Sequence, residues 1–180
     1  SQIKLDRTPK RYYRPANAFE RTALTRFEKI QTEIYESTEE GSSQIAKEVS
    51  DLIRNRKKEG RFCVMALGSG PGTHSVYKEL VRLHRDEKLS FSNVIVFNIS
   101  EFYPLDETAP GTTRILQETL LNQVDIDPTN VFTPRGTTEK EGVFEFCKEY
   151  EKSIENYGGL DLALLEIGPL GNLGDRKSVV

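Results

Sequence analysis

Residues 61–74 read Arg-Phe-Cys-Val-Met-Ala-Leu-Gly-Ser-Gly-Pro-Gly-Thr-His. Phe62 to Leu67 is a continuous apolar run, which suits a strand buried on both faces, whereas a half-exposed strand alternates apolar and polar residues. Three glycines, Gly68, Gly70 and Gly72, then break the run, and Val76, Leu80, Val81 and Leu83 resume at helical spacing with Thr73 placed to cap. Strand, glycine turn and helix in that order open a parallel α/β unit.

Further strands and helices extend the alternation downstream. Asn93–Ile99 is a second apolar strand, Val131–Thr133 a short third and Leu160–Ile167 a fourth. Between them lie helical stripes: Ile115, Leu116, Leu120 and Val124, then Val143, Phe146, Cys147, Tyr150, Ile154 and Tyr157, the latter stopped by Gly158-Gly159. Upstream, Leu24, Phe27, Ile30 and Ile34 predict one helix, and Ile45, Val49, Leu52 and Ile53 another, capped by Ser42 or Ser43. The expected fold is α/β, a doubly wound (Rossmann-like), mostly parallel sheet with helices on both faces. Its ligand loops are then residues 68–74, 99–106 and 168–175, all beyond the carboxyl ends of strands.

Composition narrows the function. With 180 residues, 36% of them hydrophobic, the chain supports one well-buried core, organised as a basic arm over 1–20 and a single α/β domain over 21–180. Lys4, Arg7, Lys10, Arg11 and Arg14 crowd the arm, where a solvated terminus is the plain reading. A net charge of −3 with interspersed signs offers no case for nucleic acid, and no apolar run approaches membrane length. Without an apolar leader or a metal or redox spacing of Cys63 and Cys147, the expectation is a cytoplasmic protein whose two cysteines are small buried hydrophobes.

The glycine turn is a candidate anion cradle. Main-chain N–H groups, a helix N-terminus and the hydroxyls of Ser69 and Thr73 can all donate to a phosphate. A tight strand-to-helix turn with no ligand needs the same residues. Thr73 stands where a dinucleotide fingerprint wants its third glycine, and no Gly-Lys-Ser/Thr follows as a P-loop requires. His74 at the first helical turn and His84 further along read as surface residues.

Several segments together resemble glucosamine-6-phosphate deaminases: Gly68-Ser69-Gly70 through Val76–His84, Leu89–Val94, Phe97-Asn98-Ile99-Ser100-Glu101-Phe102-Tyr103-Pro104-Leu105, Tyr157-Gly158-Gly159-Leu160-Asp161-Leu162 and Ile167-Gly168-Pro169-Leu170-Gly171-Asn172. The resemblance runs from about Phe27 to Gly174. It implies a ring-opened amino-sugar phosphate, a proton moved between C1 and C2, release of ammonia, and neither metal nor organic cofactor. The phosphate would lie on Gly68, Ser69, Gly70, Gly72 and Thr73. The family's proton-shuttling aspartate falls on Ser100, its ring-opening histidine on Asn172, and two supporting acids on Leu170 and Lys177. Serine and asparagine cannot run that relay at neutral pH, and Glu101, beside Ser100, is expected to pair structurally with a neighbouring loop.

Residues 175–180 depart from the family pattern, so the chain is expected to be truncated relative to it at the C-terminus. The expectation is therefore a deaminase/isomerase-like protein of amino-sugar metabolism that binds a sugar phosphate, with little deaminase power of its own. The second reading is a non-catalytic sugar-phosphate sensor. Expected partners are a small-molecule sugar phosphate and further copies of the chain in a homo-oligomer.

Overall fold

The computed structural model describes residues 33–105, 110–134, 136 and 139–168. The chain divides into two compact units, Ser1–Ser37 and Thr38–Val180, and the sheet belongs to the second. The expected basic arm and Leu24, Phe27 and Ile30 of the first helical stripe lie outside the described residues. Ile34 is described; it is not helical and is 54% exposed, so the expected helix does not reach it.

Four parallel strands form the sheet: β1 (Cys63–Leu67), β2 (Val94–Asn98), β3 (Val131–Phe132) and β4 (Leu162–Leu164), in the order β3-β2-β1-β4. All five residues of β1 and of β2 are buried, because layers cover both faces. Cys63, Met65, Leu67, Val94 and Val96 join the larger core with α1 (Thr38–Lys58), α2 (His74–Glu87) and α3 (Thr112–Thr119). Val64, Ile95 and Phe97 pack on the other face with Phe132 and with Tyr150 and Ile154 of α4 (Val143–Asn156). Each fully buried aliphatic side chain contributes roughly 1.5–3 kcal/mol of transfer free energy.

The chain steps from β1 through α2 to β2 and through α3 to β3, then returns through α4 on the opposite face to place β4 on the far side of β1. Right-handed crossovers demand that change of face when the direction of travel reverses. The reversal makes the carboxyl ends of β1 and β4 the switch point, the place where open α/β sheets generally take their ligands. At the opposite end β4 is pinned to the rest of the domain. Asp161 accepts from the Val64 N–H at 3.0 Å and from Arg56 of α1 at 2.7 and 3.0 Å.

Three expectations need correction here. The helix with the Ile45 stripe begins at Thr38, four residues before Ser42, so neither Ser42 nor Ser43 caps it. Gly41 and Ser42 are small because that face is buried, with the Ser42 hydroxyl donating to Ser75 of α2 at 2.7 Å. Cys63 is buried as expected, and burial above all pushes its thiol pKa up to about 12, but Cys147 is exposed. α4 covers only the small second cluster, through Tyr150 and Ile154, and the Cys147 side of the helix meets solvent. Lastly, β4 spans three residues of the eight expected, with Leu160, Leu165 and Ile167 exposed; among the described strands it pairs only with β1.

Candidate functional site

The turn after β1 is tied internally before any ligand is considered. The Gly68 N–H donates to Leu164 O at 3.3 Å, and the Tyr77 hydroxyl donates to Gly68 O. Thr73 directs both its N–H, at 3.1 Å, and its hydroxyl, at 2.9 Å, to Gly70 O. Thr73 therefore occupies the cap position of α2 without making a side-chain cap, and its hydroxyl is committed to the turn. Ser69 is 7% exposed, whereas Gly72 and His74 are open to solvent.

A residue the sequence did not single out lies against this turn. Glu166, two residues beyond β4, accepts from the Gly72 N–H at 3.0 Å. A Cβ on Gly70 would come within 1.4 Å of Glu166 Oε1, so glycine is required there for the carboxylate to settle against the backbone. The contact spans 94 residues and exists because β4 lies beside β1. Its one trace in the sequence is an acidic residue inside the last apolar run, near its carboxyl end.

The second loop leaves β2 at the same end of the sheet, and Ile99 Cδ1 lies 3.8 Å from the Cβ position of Gly68. Ser100 is exposed; its carbonyl accepts from the Thr112 hydroxyl, and its own hydroxyl has no partner among the described residues. Glu101 instead takes the N-terminus of α3. Its carboxylate accepts from the N–H groups of Thr112 at 2.8 Å, Thr113 at 3.0 Å and Phe102 at 2.9 Å. Burial works to raise its pKa, but these donors prevail and hold it below the ordinary glutamate value. The expected pairing with a loop is thus a helix cap, and Gly111 is small because a Cβ there would lie 2.8 Å from both carboxylate oxygens.

Behind both loops sits Asn98, fully buried, donating to the hydroxyls of Thr113 at 3.1 Å and Thr112 at 3.3 Å. Its Oδ1 has no donor among the described residues. Leu170, Asn172 and Lys177 of the third loop lie outside the described residues. The candidate residues Gly68, Ser69, Gly70, Gly72 and Thr73 therefore form one turn, with Ser100 and Glu101 on the adjacent strand end. Among the described residues no group of three His, Cys, Asp or Glu side chains could hold a metal, and no helix is long and apolar enough to cross a membrane. His84, expected at the surface, is instead half-buried at the far end of α2, with Nδ1 2.6 Å from Leu89 O.

The fold is that of a doubly wound α/β protein, with the glycine turn and its Glu166 contact at the switch point. The chain belongs to the glucosamine-6-phosphate isomerases/6-phosphogluconolactonase family, whose model matches residues 29–171. It is 55% identical over 174 residues to a glucosamine-6-phosphate deaminase-like protein of Bacteroides thetaiotaomicron, a match covering 96% of this chain and 26% of that protein. It is 37% identical over 132 residues to a glucosamine-6-phosphate deaminase of Clostridium botulinum, covering 73% of this chain and 53% of the relative. The chain thus spans about a quarter of the first relative and about half of the second.

Among solved structures, a monomeric glucosamine-6-phosphate deaminase superposes with a TM-score of 0.73 at 27% identity, over 81% of this chain and 58% of that one. The 6-phosphogluconolactonase of Thermotoga maritima shares the fold, with a TM-score of 0.60 at 20% identity over 73% of this chain and 58% of its own.

Proposed function

We propose that this chain binds a sugar phosphate of the glucosamine 6-phosphate class at the turn 68–73, and that its own residues do not support deamination. The observation that carries the first half is the seated carboxylate: the Gly72 N–H already holds an oxyanion at 3.0 Å, at the end of the sheet where such folds take their ligands. A phosphate presents the same kind of acceptor, and the N-terminus of α2 favours its charge. The second half rests on the substitutions. Ser100 stands where the family resemblance puts the proton-shuttling aspartate, and no base among the described residues contacts its hydroxyl. Glu101, the nearest carboxylate in sequence, spends its lone pairs on three N–H donors of the α3 cap, so it is held ionised and away from proton transfer. Leu170 and Asn172 have no titratable proton at neutral pH, and Lys177 puts a cation where the family resemblance puts an acid.

Thermal unfolding with saturating glucosamine 6-phosphate tests the binding half. Mass action should raise the melting temperature of the wild type and raise it much less in the double variant Ser69→Ala, Thr73→Val, which loses one free donor and the tie to Gly70 O. Equal rises in both proteins would place the ligand elsewhere.

A further inference from the structure

The turn at the switch point is already occupied by an anion that belongs to the chain. We propose that Glu166 is a built-in competitor for the ligand's phosphate, seated on the turn in the empty protein and displaced when a phosphate binds. The proposal rests on the assignment of residues 68–73 as the phosphate site and adds the control of that site.

Three features of the contact distinguish a plug from an ordinary surface glutamate. The first is volume. The carboxylate lies so close over Gly70 that a methyl group there would stand 1.4 Å from Oε1 and 2.4 Å from Oε2, so a phosphate oxygen approaching the same backbone would need the space Glu166 fills. The second is charge. Phosphate and carboxylate are both anions, so a phosphate brought alongside Glu166 would meet a like charge, and no Lys, Arg or His among the described residues forms an ion pair with Glu166. The third is mobility at low cost. The hydrogen bond to Gly72 is solvent-exposed, and the flanking Leu165 and Ile167 are 40% and 75% exposed, so the side chain can swing out without disturbing the core.

Glu101 supplies the contrast within the same molecule. Three N–H donors hold it, against one for Glu166 among the described residues, and displacing it would uncap α3. One carboxylate is built into the fold; the other is a seated arm. Two states follow, seated and withdrawn, and only the withdrawn one offers its N–H groups to a ligand. The apparent dissociation constant is then the intrinsic one divided by the withdrawn fraction, so a plug seated nine-tenths of the time weakens binding about tenfold.

The test is an amide-resolved NMR titration with inorganic phosphate on the full chain as wild type, Glu166→Gln and Glu166→Ala, with the Gly72 amide as the local reporter. Gln keeps the shape and removes the charge; Ala removes both and serves if the Gln variant folds poorly. The expected result is phosphate binding at Gly72 that is about tenfold tighter or more in the folded variants than in the wild type. Equal or weaker affinity at Gly72 in the variants overturns the competitor while leaving the phosphate site standing. No response of Gly72 in any of the three proteins overturns both.

Discussion

Glu101 and Glu166 are each a carboxylate at a helix start beyond a parallel strand, and their surroundings separate their roles. For Glu101 the cap on α3 has a stability consequence whose sign can be worked out. Its folded pKa lies below the unfolded value, so the stabilisation is complete above the ordinary glutamate range and is lost as pH falls through the folded value. Glu101→Gln should therefore destabilise the domain near neutral pH by about 1 kcal/mol, at the modest end because the carboxylate is partly solvated. Urea unfolding at neutral pH and below about pH 4 checks this. The gap between wild type and variant should shrink in acid, and an undiminished gap would mean that packing, not charge, is what the glutamine disturbs.

At the scale of elements, α4 is the least embedded helix, with no fully buried residue, yet it alone among the described helices covers the second face of the sheet. Tyr150 does most to dock it. The ring makes an edge contact with Phe97 at 5.5 Å, and the hydroxyl lies 2.9 Å from both Asn98 O and Phe132 O, bridging the carboxyl ends of β2 and β3. Burial raises the Tyr150 phenol above the ordinary tyrosine range and outweighs the opposing hydrogen bond at Asn98. Tyr150→Phe should cost about 1 kcal/mol and leave two strand-end carbonyls without this donor. Denaturant melts read the loss. An unchanged midpoint would show that water replaces the hydroxyl at no cost.

How legible these elements are depends on whether the deciding contacts are local. β1 and β2 are readable because a continuous apolar run has few other uses, and the positive φ of Gly158 and Gly159 ends α4 where the glycine pair stands. The start of α1 misleads, since Gly41-Ser42-Ser43 looks like punctuation until α2 is seen packed against it. Cys147 misleads for the complementary reason: its spacing fits a buried stripe, but the cluster α4 covers is too small to reach it.

For the whole molecule, the strand order β3-β2-β1-β4 turns separate sequence features into a site. The glycine turn can be recognised from residues 67–74 alone, and the substitutions at Ser100, Leu170, Asn172 and Lys177 from the family resemblance. The contact of Glu166 with the turn cannot be read that way, because Glu166 reaches Gly72 only through the pairing of β1 with β4. Thr73 is similar: its hydroxyl looks available to a ligand or a cap until the turn closes and Gly70 O takes it.

Isothermal calorimetry with glucosamine 6-phosphate distinguishes binding without deamination from turnover, because one trace separates the heat of binding from the heat of reaction. The expected trace is a saturable binding heat that returns to baseline after each injection, with no continuing signal. A sustained heat proportional to enzyme concentration would contradict the loss of the acid/base set, and the absence of any saturable heat would contradict the site itself.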